Sequence, residues 1–521
     1  MSISADLSLI KREWNEEIDK RRNFTNIRRG FDVSEKGIYT LDNQTWDDLD
    51  MNKVYEKLDR SYSSLGEVAL YSMLRNPVMN QEKLKHRDNV IESIKNNSNL
   101  REKMQSIFYK MGSDQKNYFI DMMESELVVN KFKYYLYTFI GKICFIICTL
   151  LIILYGQDYA AGLLTLSGIN IFINYRERNT IKSRGIIYLR SIIKSAKLIS
   201  AIKNEDIKEY TDKIKINICH VKDIDRNTLL IGFTNMWFGF FEFLSTLFLV
   251  EECAYYKISS VLKEKKKYIM NIYDTVGELE ALISIAGYQN NLKQSFVKPR
   301  FIKDAAINIK EGTHPLITKP VANSISMKSK GIVLTGTNMS GKSTFLRMLG
   351  INILLAQTFN FVLAKDYEAG FFNIVASISP NDDLTEGKSY YMAEAESILR
   401  IIEAMDKDIP VFCPIDEIFR GTNPIERIAM SAEILSYLNN GKTISIVATH
   451  DRELADILKD TNEFYYFSED VDNKKGLSFD YKLKPGISQS RNAIRLLEYI
   501  GYPKEITKKA FKRAETIEGF I

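Results

Sequence analysis

The residues with the clearest chemical potential form a short glycine-rich segment in the second half of the chain. The segment matches G-x-x-x-x-G-K-[ST], a pattern whose backbone N–H groups cradle phosphates. It consists of Gly336, Thr337, Asn338, Met339, Ser340, Gly341, Lys342 and Ser343, with Thr344 following. Lys342 suits the β- and γ-phosphates and Ser343 suits Mg²⁺, so the pattern predicts binding of ATP with Mg²⁺. A plain glycine turn before a helix is the alternative interpretation.

The flanking sequence supplies the elements that such a loop needs. Gly331–Thr335 is apolar and β-branched, as expected of a buried strand. After the loop, apolar side chains recur at helical spacing, at Phe345, Leu346, Leu349, Ile353 and Leu354. A strand, a loop and a helix in this order place the positive end of the helix dipole at the phosphates.

Two further apolar strands are predicted to place polar side chains beside the glycine-rich loop. The first, 411–417, ends in Asp416 and Glu417. Asp416 suits the Mg²⁺ shell, and Glu417 suits activation of the attacking water. The second, 443–448, precedes His450, which we expect to sense the γ-phosphate, although a lone histidine is more often structural.

These motifs resemble the MutS family. The resemblance rests on the nucleotide loop 335–344, Asp382-Asp383-Leu384 with Gly387-Lys388-Ser389, Met392-Ala393-Glu394, Asp416-Glu417-Ile418, Arg420-Gly421-Thr422, Ala448-Thr449-His450 and Tyr481-Lys482-Leu483 with Pro485-Gly486. Upstream, 41–90 resembles the opening of the family's core domain, and 277–301 resembles its return into the ATPase domain.

The resemblance implies an α/β P-loop ATPase domain at the C-terminus and a mostly α-helical core and lever domain before it. It also implies a homodimer that sandwiches ATP, in which Ser389 contacts the γ-phosphate bound by the other subunit. As an alternative, Ser389 is a helix cap. Where the family often has an aromatic ring on adenine, this chain offers only Val321.

The chain departs from the family pattern at its start. Only about 40 residues precede the core resemblance, too few for a mismatch-reading domain. We therefore expect no discrimination between mismatched and paired DNA, and we expect any DNA binding to depend on the phosphate backbone and on salt.

Composition sets broad limits. The chain has 521 residues and a net charge of +5, too weak an excess to indicate a nucleic-acid partner by itself. The five cysteines show no metal-binding spacing, which favours reduced thiols. The polar N-terminus is unlike a secretory signal peptide, so we expect the ATPase domain in the cytoplasm.

Two apolar runs predict a transmembrane helical hairpin. Residues 136–155 contain one charge, Lys142, and residues 160–175 contain none. At about 1.5 Å per residue, the first run matches a hydrocarbon core of about 30 Å, and the second is marginal. Lysines and arginines flank the outer ends and Asp158 lies in the turn, which is the positive-inside pattern. A buried hairpin in a soluble domain is the alternative.

A third apolar run, 229–250, carries Asn235 and Glu242, and we interpret it as a buried or interfacial helix. Basic amphipathic stretches at 182–215 and 261–277 fit lipid headgroups or solvent at least as well as DNA.

The predicted domains are an N-terminal segment 1–40, a first core part 41–133, the hairpin 134–177, a second core and lever part 178–300, and the ATPase domain 301–521. The sequence thus predicts a membrane-tethered, dimeric ATPase that couples ATP hydrolysis to lever movement. DNA binding of a repair or recombination type, without mismatch reading, is one task. The alternative is a membrane ATPase that acts on a protein or lipid partner without DNA.

Overall fold

The computed structural model divides the chain into two compact units, each assembled from separate stretches. The first unit comprises Met1–Glu35, Leu58–Ser72 and Asn89–Asn291, and the second comprises Lys36–Lys57, Met73–Asp88 and Leu292–Ile521. The residues that the structure describes are 3–16, 18, 20–124, 129–177, 183–224, 240–328, 330–337, 340–379, 390–419, 422–439, 442–451, 453–472, 476–487 and 493–516. The domain boundaries expected from the sequence remain predictions.

The first unit is helical. Its helices are Ile3–Asn15, Phe24–Val33, Ser98–Met111, Tyr118–Glu124, Lys131–Thr138, Phe145–Tyr155, Ala160–Glu177, Ser183–Ser200, Lys208–His220, Phe240–Leu247 and Val250–Asn290, with a π-helical turn at Phe139–Cys144 and a 3₁₀ turn at Gln157–Tyr159. Two more helices, Ser64–Arg75 and Gln81–Asn96, contribute residues to both units.

The apolar runs form a helical hairpin in this unit. The helical path Lys131–Tyr155 and the helix Ala160–Glu177 are joined at Gly156, whose φ of 96° favours glycine. Among the described residues, Lys131–Tyr155 is the one helix long and apolar enough to cross a membrane, and 17% of its most apolar window is buried. Large apolar side chains of both helices are exposed, for example Ile153 at 71% and Leu164 at 72%.

Polar contacts tie the base of the hairpin to the long helix Val250–Asn290. Lys133 Nζ lies 2.6 Å from Glu177 Oε1, and the Tyr256 hydroxyl donates to Glu177 Oε2 over 2.6 Å. Asn174 donates to the buried carboxylate of Glu252 over 2.7 Å. These contacts fix the hairpin base to the long helix while most of its apolar surface stays uncovered.

The third apolar run is described from Phe240 onward, and 229–239 lies outside the described residues. Its described part is a helix, Phe240–Leu247, that breaks before Val250–Asn290 begins. At the break, Leu249 has a φ of 49°, in the left-handed region that leucine rarely adopts. The described part of this run is therefore not one continuous helix, because the chain turns between the two segments.

The second unit combines two sheets with flanking helices. Its strands are β1 (Arg300–Phe301), β2 (Ile307–Gly312), β3 (Asn323–Met327), β4 (Gly331–Thr335), β5 (Asp366–Ala369), β6 (Asn373–Ile374), β7 (Val411–Asp416), β8 (Thr443–Ala448), β9 (Asn462–Asp472) and β10 (Gly476–Pro485). Its helices are Asn43–Asp48, Met51–Leu58, Lys342–Phe359, Tyr390–Ala404, Pro424–Asn439, Glu453–Leu458, Ala493–Ile500 and Lys504–Thr516.

The larger sheet positions the candidate site. Its strand order is β10-β9-β4-β8-β7-β6, with β4, β6, β7, β8 and β9 parallel and β10 antiparallel at one edge. The strands β4, β7 and β8 are buried at every position, so they read as continuous apolar runs. Pro414 is tolerated in β7 because this strand is next to the edge, beside the two-residue strand β6.

Candidate functional site

Three neighbouring parallel strands end at the same edge of the larger sheet and deliver the predicted side chains together. The glycine-rich loop follows β4, Asp416 ends β7, and His450 follows β8. Backbone bonds lock these ends in place, because Glu417 N donates to Ala448 O and Thr449 N donates to Leu334 O. Ligands of open α/β sheets bind beyond the carboxyl ends of strands, which is where these side chains lie.

The glycines of the loop occupy conformations that other residues avoid. Gly336 has a φ of 142° and Gly341 a φ of 107°, immediately before the helix Lys342–Phe359. Lys342 is nearly buried, and its ammonium group donates to Gly336 O over 2.7 Å and to Thr337 O over 2.9 Å. The lysine therefore lies folded over its own loop, with its charge held where phosphates are expected.

The two predicted Mg²⁺ ligands are in contact. The hydroxyl of Ser343, at the start of the helix, donates a hydrogen bond to Asp416 Oδ2 at the end of β7. A hydroxyl and a carboxylate are hard oxygen ligands, which suit Mg²⁺ in a site that phosphate oxygens complete. The donor set thus fits the predicted ion.

Glu417 and His450 form the third contact. Glu417 Oε1 lies 3.2 Å from His450 Nε2, and that nitrogen lies 3.5 Å from Lys342 Nζ. The backbone of Glu417 is left-handed, with a φ of 65°. Such a conformation costs on the order of 1–3 kcal/mol and recurs at functional sites. It turns the carboxylate away from β7, toward the histidine that ends the neighbouring strand.

The loop borders a cavity of about 980 Å³ that also contacts the smaller sheet. Its lining includes Thr337, Ser340, Thr344, Asp416 and His450. The hydroxyl oxygen of Ser340 is buried and, among the described residues, has no hydrogen-bond partner. A phosphate oxygen would satisfy this orphaned group, so the loop fits the nucleotide that its sequence predicts.

Two side chains on the cavity wall are suited to contact a base. Val321 is one of them, and it is about one-third exposed. Tyr481 is the other, and its ring lies 3.2 Å from where a Cβ at Gly341 would be. Asn323 fixes this tyrosine by donating to its carbonyl oxygen over 2.9 Å. Sequence reasoning assigned Tyr481 no role, although the residue belongs to a segment that carried the family resemblance.

A buried histidine on the cavity wall stays neutral. Burial, with the nearby charge of Arg347, lowers the pKa of His314 to about 4. Its Nδ1 accepts from Leu316 N over 3.2 Å, which shapes the turn after β2. Its role at neutral pH is therefore to shape the wall without adding charge.

Some predicted site residues lie outside the described part of the chain. These are Asn338 and Met339 of the loop, Ser389, and the signature residues 382–388. The structure brings together Lys342, Ser343, Asp416, Glu417 and His450, and it adds Tyr481 to them.

A family profile described as MutS domain V matches residues 332–518. Among curated proteins, the chain is 29% identical over 278 residues to the DNA mismatch repair protein MutS of Halothermothrix orenii, covering 50% of this chain and 30% of that protein. It is 29% identical over 241 residues to the protein of the same name from Thermus thermophilus, covering 45% and 29%. With that of Fusobacterium nucleatum it shares 28% identity over 288 residues, covering 52% and 32%. The matched region spans about a third or less of each relative's length.

Proposed function

We propose that this chain, which is similar to MutS proteins, binds and hydrolyses Mg²⁺-ATP in the region that matches MutS domain V, a P-loop ATPase-type domain. The observation that carries the proposal is the contact between Ser343 and Asp416 beside the glycine-rich loop. A structural glycine turn would need neither this oxygen pair nor the cavity beside it.

The chain's own residues supply the binding half of the reaction. Backbone N–H groups at the start of the helix Lys342–Phe359 face the phosphates, and the Lys342 ammonium group moves from the loop carbonyls onto phosphate oxygens. Ser343 and Asp416 would hold Mg²⁺, and the bound ion would supply positive charge beside the phosphates. The ring of Tyr481, which lines the same cavity as Val321, covers the base.

The catalytic half rests on Glu417 and His450. Glu417 orients the attacking water and accepts its proton, a role that contributes about 10²–10⁴-fold in comparable enzymes. His450 holds the Glu417 carboxylate from the end of β8, and it lies close enough to Lys342 to register the γ-phosphate. The Glu417 side chain is partly buried and the His450 side chain is exposed, so water can reach both.

We further propose that two copies of the chain pair through their ATPase domains. In this arrangement Ser389 completes the nucleotide site of the partner, as the family resemblance implies. Mixtures of Ser389→Ala and Lys342→Ala proteins at several ratios test this arrangement. Each mixed dimer contains one intact composite site, formed by the unchanged loop of one subunit and the unchanged Ser389 of the other. Absence of recovered activity at every mixing ratio contradicts the arrangement.

The hairpin supports a membrane tether with the ATPase domain on the cytoplasmic side. Large apolar side chains are exposed along both helices, including Ile146, Ile153, Leu164 and Phe172. An uncovered apolar surface of this extent indicates a lipid or protein contact. Lys133 and Glu177 at the base mark where the polar boundary would lie.

Fractionation of the full chain tests the tether. We expect the protein in the membrane fraction, resistant to carbonate, and we expect the double change Ile146→Asp and Leu150→Asp to release it. Each charge costs about 2.5–3.5 kcal/mol in the hydrocarbon region. Leu198→Asp, at an exposed leucine on the helix Ser183–Ser200, is the matched control. Wild-type protein that stays wholly soluble without detergent contradicts the tether.

Two functions remain, one with DNA as the partner of the ATPase and one with a lipid or protein as its partner. The long helix carries three exposed lysines, Lys263, Lys266 and Lys267. They would give salt-dependent contacts to the phosphate backbone of DNA. The uncovered hairpin favours a lipid or membrane-protein partner. ATPase rates with homoduplex DNA, G·T heteroduplex DNA and anionic vesicles decide between them. Stimulation by DNA supports a repair-type or recombination-type role, and a heteroduplex preference above tenfold would show that the protein reads mismatches.

A further inference from the structure

A short segment far from the nucleotide loop in sequence packs inside the second unit. The helix Asn43–Asp48 is capped by the preceding residue, Asp42, whose side chain accepts a hydrogen bond from Thr45 N over 2.8 Å. Thr45 and Asp48 are buried at 0% and 2% exposure, unusual burial for polar side chains. Each should therefore have specific partners, because an unpaired buried polar group is costly.

Asp48 finds its partners on the wall of the nucleotide cavity. Its Oδ2 accepts from Ile378 N over 3.0 Å, and its Oδ1 accepts from Ser379 N over 2.7 Å. Burial raises the pKa of Asp48 to about 6, against the two backbone bonds and the charges of Arg400 and Arg347. The carboxylate is thus ionised at neutral pH and can accept both bonds. Ile378 and Ser379 line the cavity immediately before residues 380–389.

The helix that follows the glycine-rich loop shares this contact. Arg347, one turn after Ser343, donates from Nε to Asp48 O over 2.7 Å and from Nη2 to Ser379 Oγ over 3.2 Å. On the same helix, a Cβ at Gly350 would lie 2.7 Å from the end of the Leu49 side chain, so Leu49 packs closely against this glycine. The segment around Asp48 therefore packs directly against the phosphate-binding helix Lys342–Phe359.

The segment also holds the helix Tyr390–Ala404, on the other side of residues 380–389. Arg400 Nη1 donates to Thr45 Oγ1 over 2.9 Å, and Gln44 donates to Ser397 Oγ over 2.6 Å. Thr45 Oγ1 also accepts from Ala376 N over 3.0 Å. One short helix thereby contacts both the segment 376–379 and the helix Tyr390–Ala404.

We propose that Asp48 is a positioning residue for the hydrolytic reaction, which fixes Ile378 and Ser379 on the cavity wall relative to the phosphate-binding helix. The inference rests on the proposed ATPase function. Two charge-assisted bonds, one to each carboxylate oxygen, fix these two amides, and Arg347 joins Asp48 O to the phosphate-binding helix. The side chain of Asp48 thus bonds to the cavity wall rather than to the glycine-rich loop, so its loss impairs catalytic geometry more than nucleotide affinity.

The test compares Asp48→Ala, Asp48→Asn and the control Asp47→Ala, which removes a charge from the exposed neighbour on the same helix. We expect Asp48→Ala to lower kcat at least tenfold while the Kd for Mg²⁺-ATP changes less than threefold. Asp48→Asn, which keeps one acceptor oxygen, should fall between Asp48→Ala and wild type. Asp47→Ala should match wild type. Native kcat in Asp48→Ala, or parallel loss of kcat and affinity, overturns the inference.

Hydrogen exchange without nucleotide gives a second readout that needs no activity. In Asp48→Asn, we expect the amides of Ile378 and Ser379 to exchange at least tenfold faster, with the strands β4, β7 and β8 unchanged. Unchanged exchange at both amides, or acceleration throughout the second unit, contradicts a positioning role. An inactive wild-type protein would defeat the proposed function, while this measurement would still decide whether Asp48 fixes the segment.

Discussion

Ser343 donates its hydroxyl hydrogen to the carboxylate of Asp416, across 73 residues of sequence. The contact joins the first turn of the helix Lys342–Phe359 to the end of β7, and Glu417 and His450 lie beside it. Because these residues come from the helix, from the end of β7 and from the end of β8, the arrangement depends on the order of strands in the sheet. The role of each side chain can be tested by a separate substitution.

Asp416→Asn should weaken the response of ATP hydrolysis to Mg²⁺. The amide keeps the shape of the side chain but removes the charge that holds the ion. A Mg²⁺ titration of the hydrolysis rate should shift at least tenfold to higher concentration. Asp460→Asn, at an exposed aspartate of the same unit, should leave the titration unchanged. An unshifted curve for Asp416→Asn would remove this residue from the metal site.

Lys342→Ala should weaken ATP binding. The lysine is nearly buried, and its ammonium group is confined to the loop, so its loss removes a preorganised charge. A charge-assisted hydrogen bond contributes about 1.5–3 kcal/mol, which corresponds to roughly 10–150-fold in Kd. Equilibrium binding measures this change, and Lys330→Ala, just before β4, serves as the control. Equal affinity in Lys342→Ala and wild type would contradict the phosphate assignment.

Tyr481→Ala should weaken ATP binding more than Tyr481→Phe does. An aromatic contact beyond simple burial contributes about 0.5–1.5 kcal/mol, or roughly 2–12-fold in affinity. Phenylalanine keeps the ring and should bind nearly as well as wild type. Tyr499→Ala, at an exposed tyrosine of the same unit, should have no effect. Similar losses in the Phe and Ala variants would show that the ring does not cover the base.

The site residues that directly follow a strand could be predicted from the sequence, because the apolar run before each of them indicates where the strand ends. A buried apolar run before Gly336, before Asp416 and before His450 predicts a strand end at each. Tyr481 and Asp48 could not be predicted in this way, since their partners lie far along the chain, at Gly341 and Ile378. The break at Leu249 also had no signal, because neither glycine nor proline marks it.

Glu280→Gln should change how stability depends on pH. Burial raises the pKa of Glu280 to about 7, although Ser63, Tyr62 N and Lys20 oppose the shift. Between about pH 4.5 and 7 the folded chain keeps a proton that the unfolded chain releases, so wild-type stability falls as pH rises through this window. The linkage amounts to at most about 3 kcal/mol.

Glutamine removes this titration, so Glu280→Gln should gain stability relative to wild type as pH rises from 4.5 to 7. Denaturant unfolding at several pH values measures the difference. Glu264→Gln, at an exposed position on the same helix, should follow the wild-type curve. A stability difference between Glu280→Gln and wild type that stays constant over this range would show that Glu280 does not titrate as inferred.

The central claim is that this site hydrolyses ATP with Glu417 activating the water. Steady-state hydrolysis and equilibrium ATP binding should therefore be measured for wild type, Glu417→Gln and the exposed control Glu433→Gln, with and without Mg²⁺. We expect Mg²⁺-dependent turnover in wild type and in Glu433→Gln. Glu417→Gln should lose at least a hundredfold in kcat while its Kd for ATP stays within threefold. Native turnover in Glu417→Gln would contradict the account.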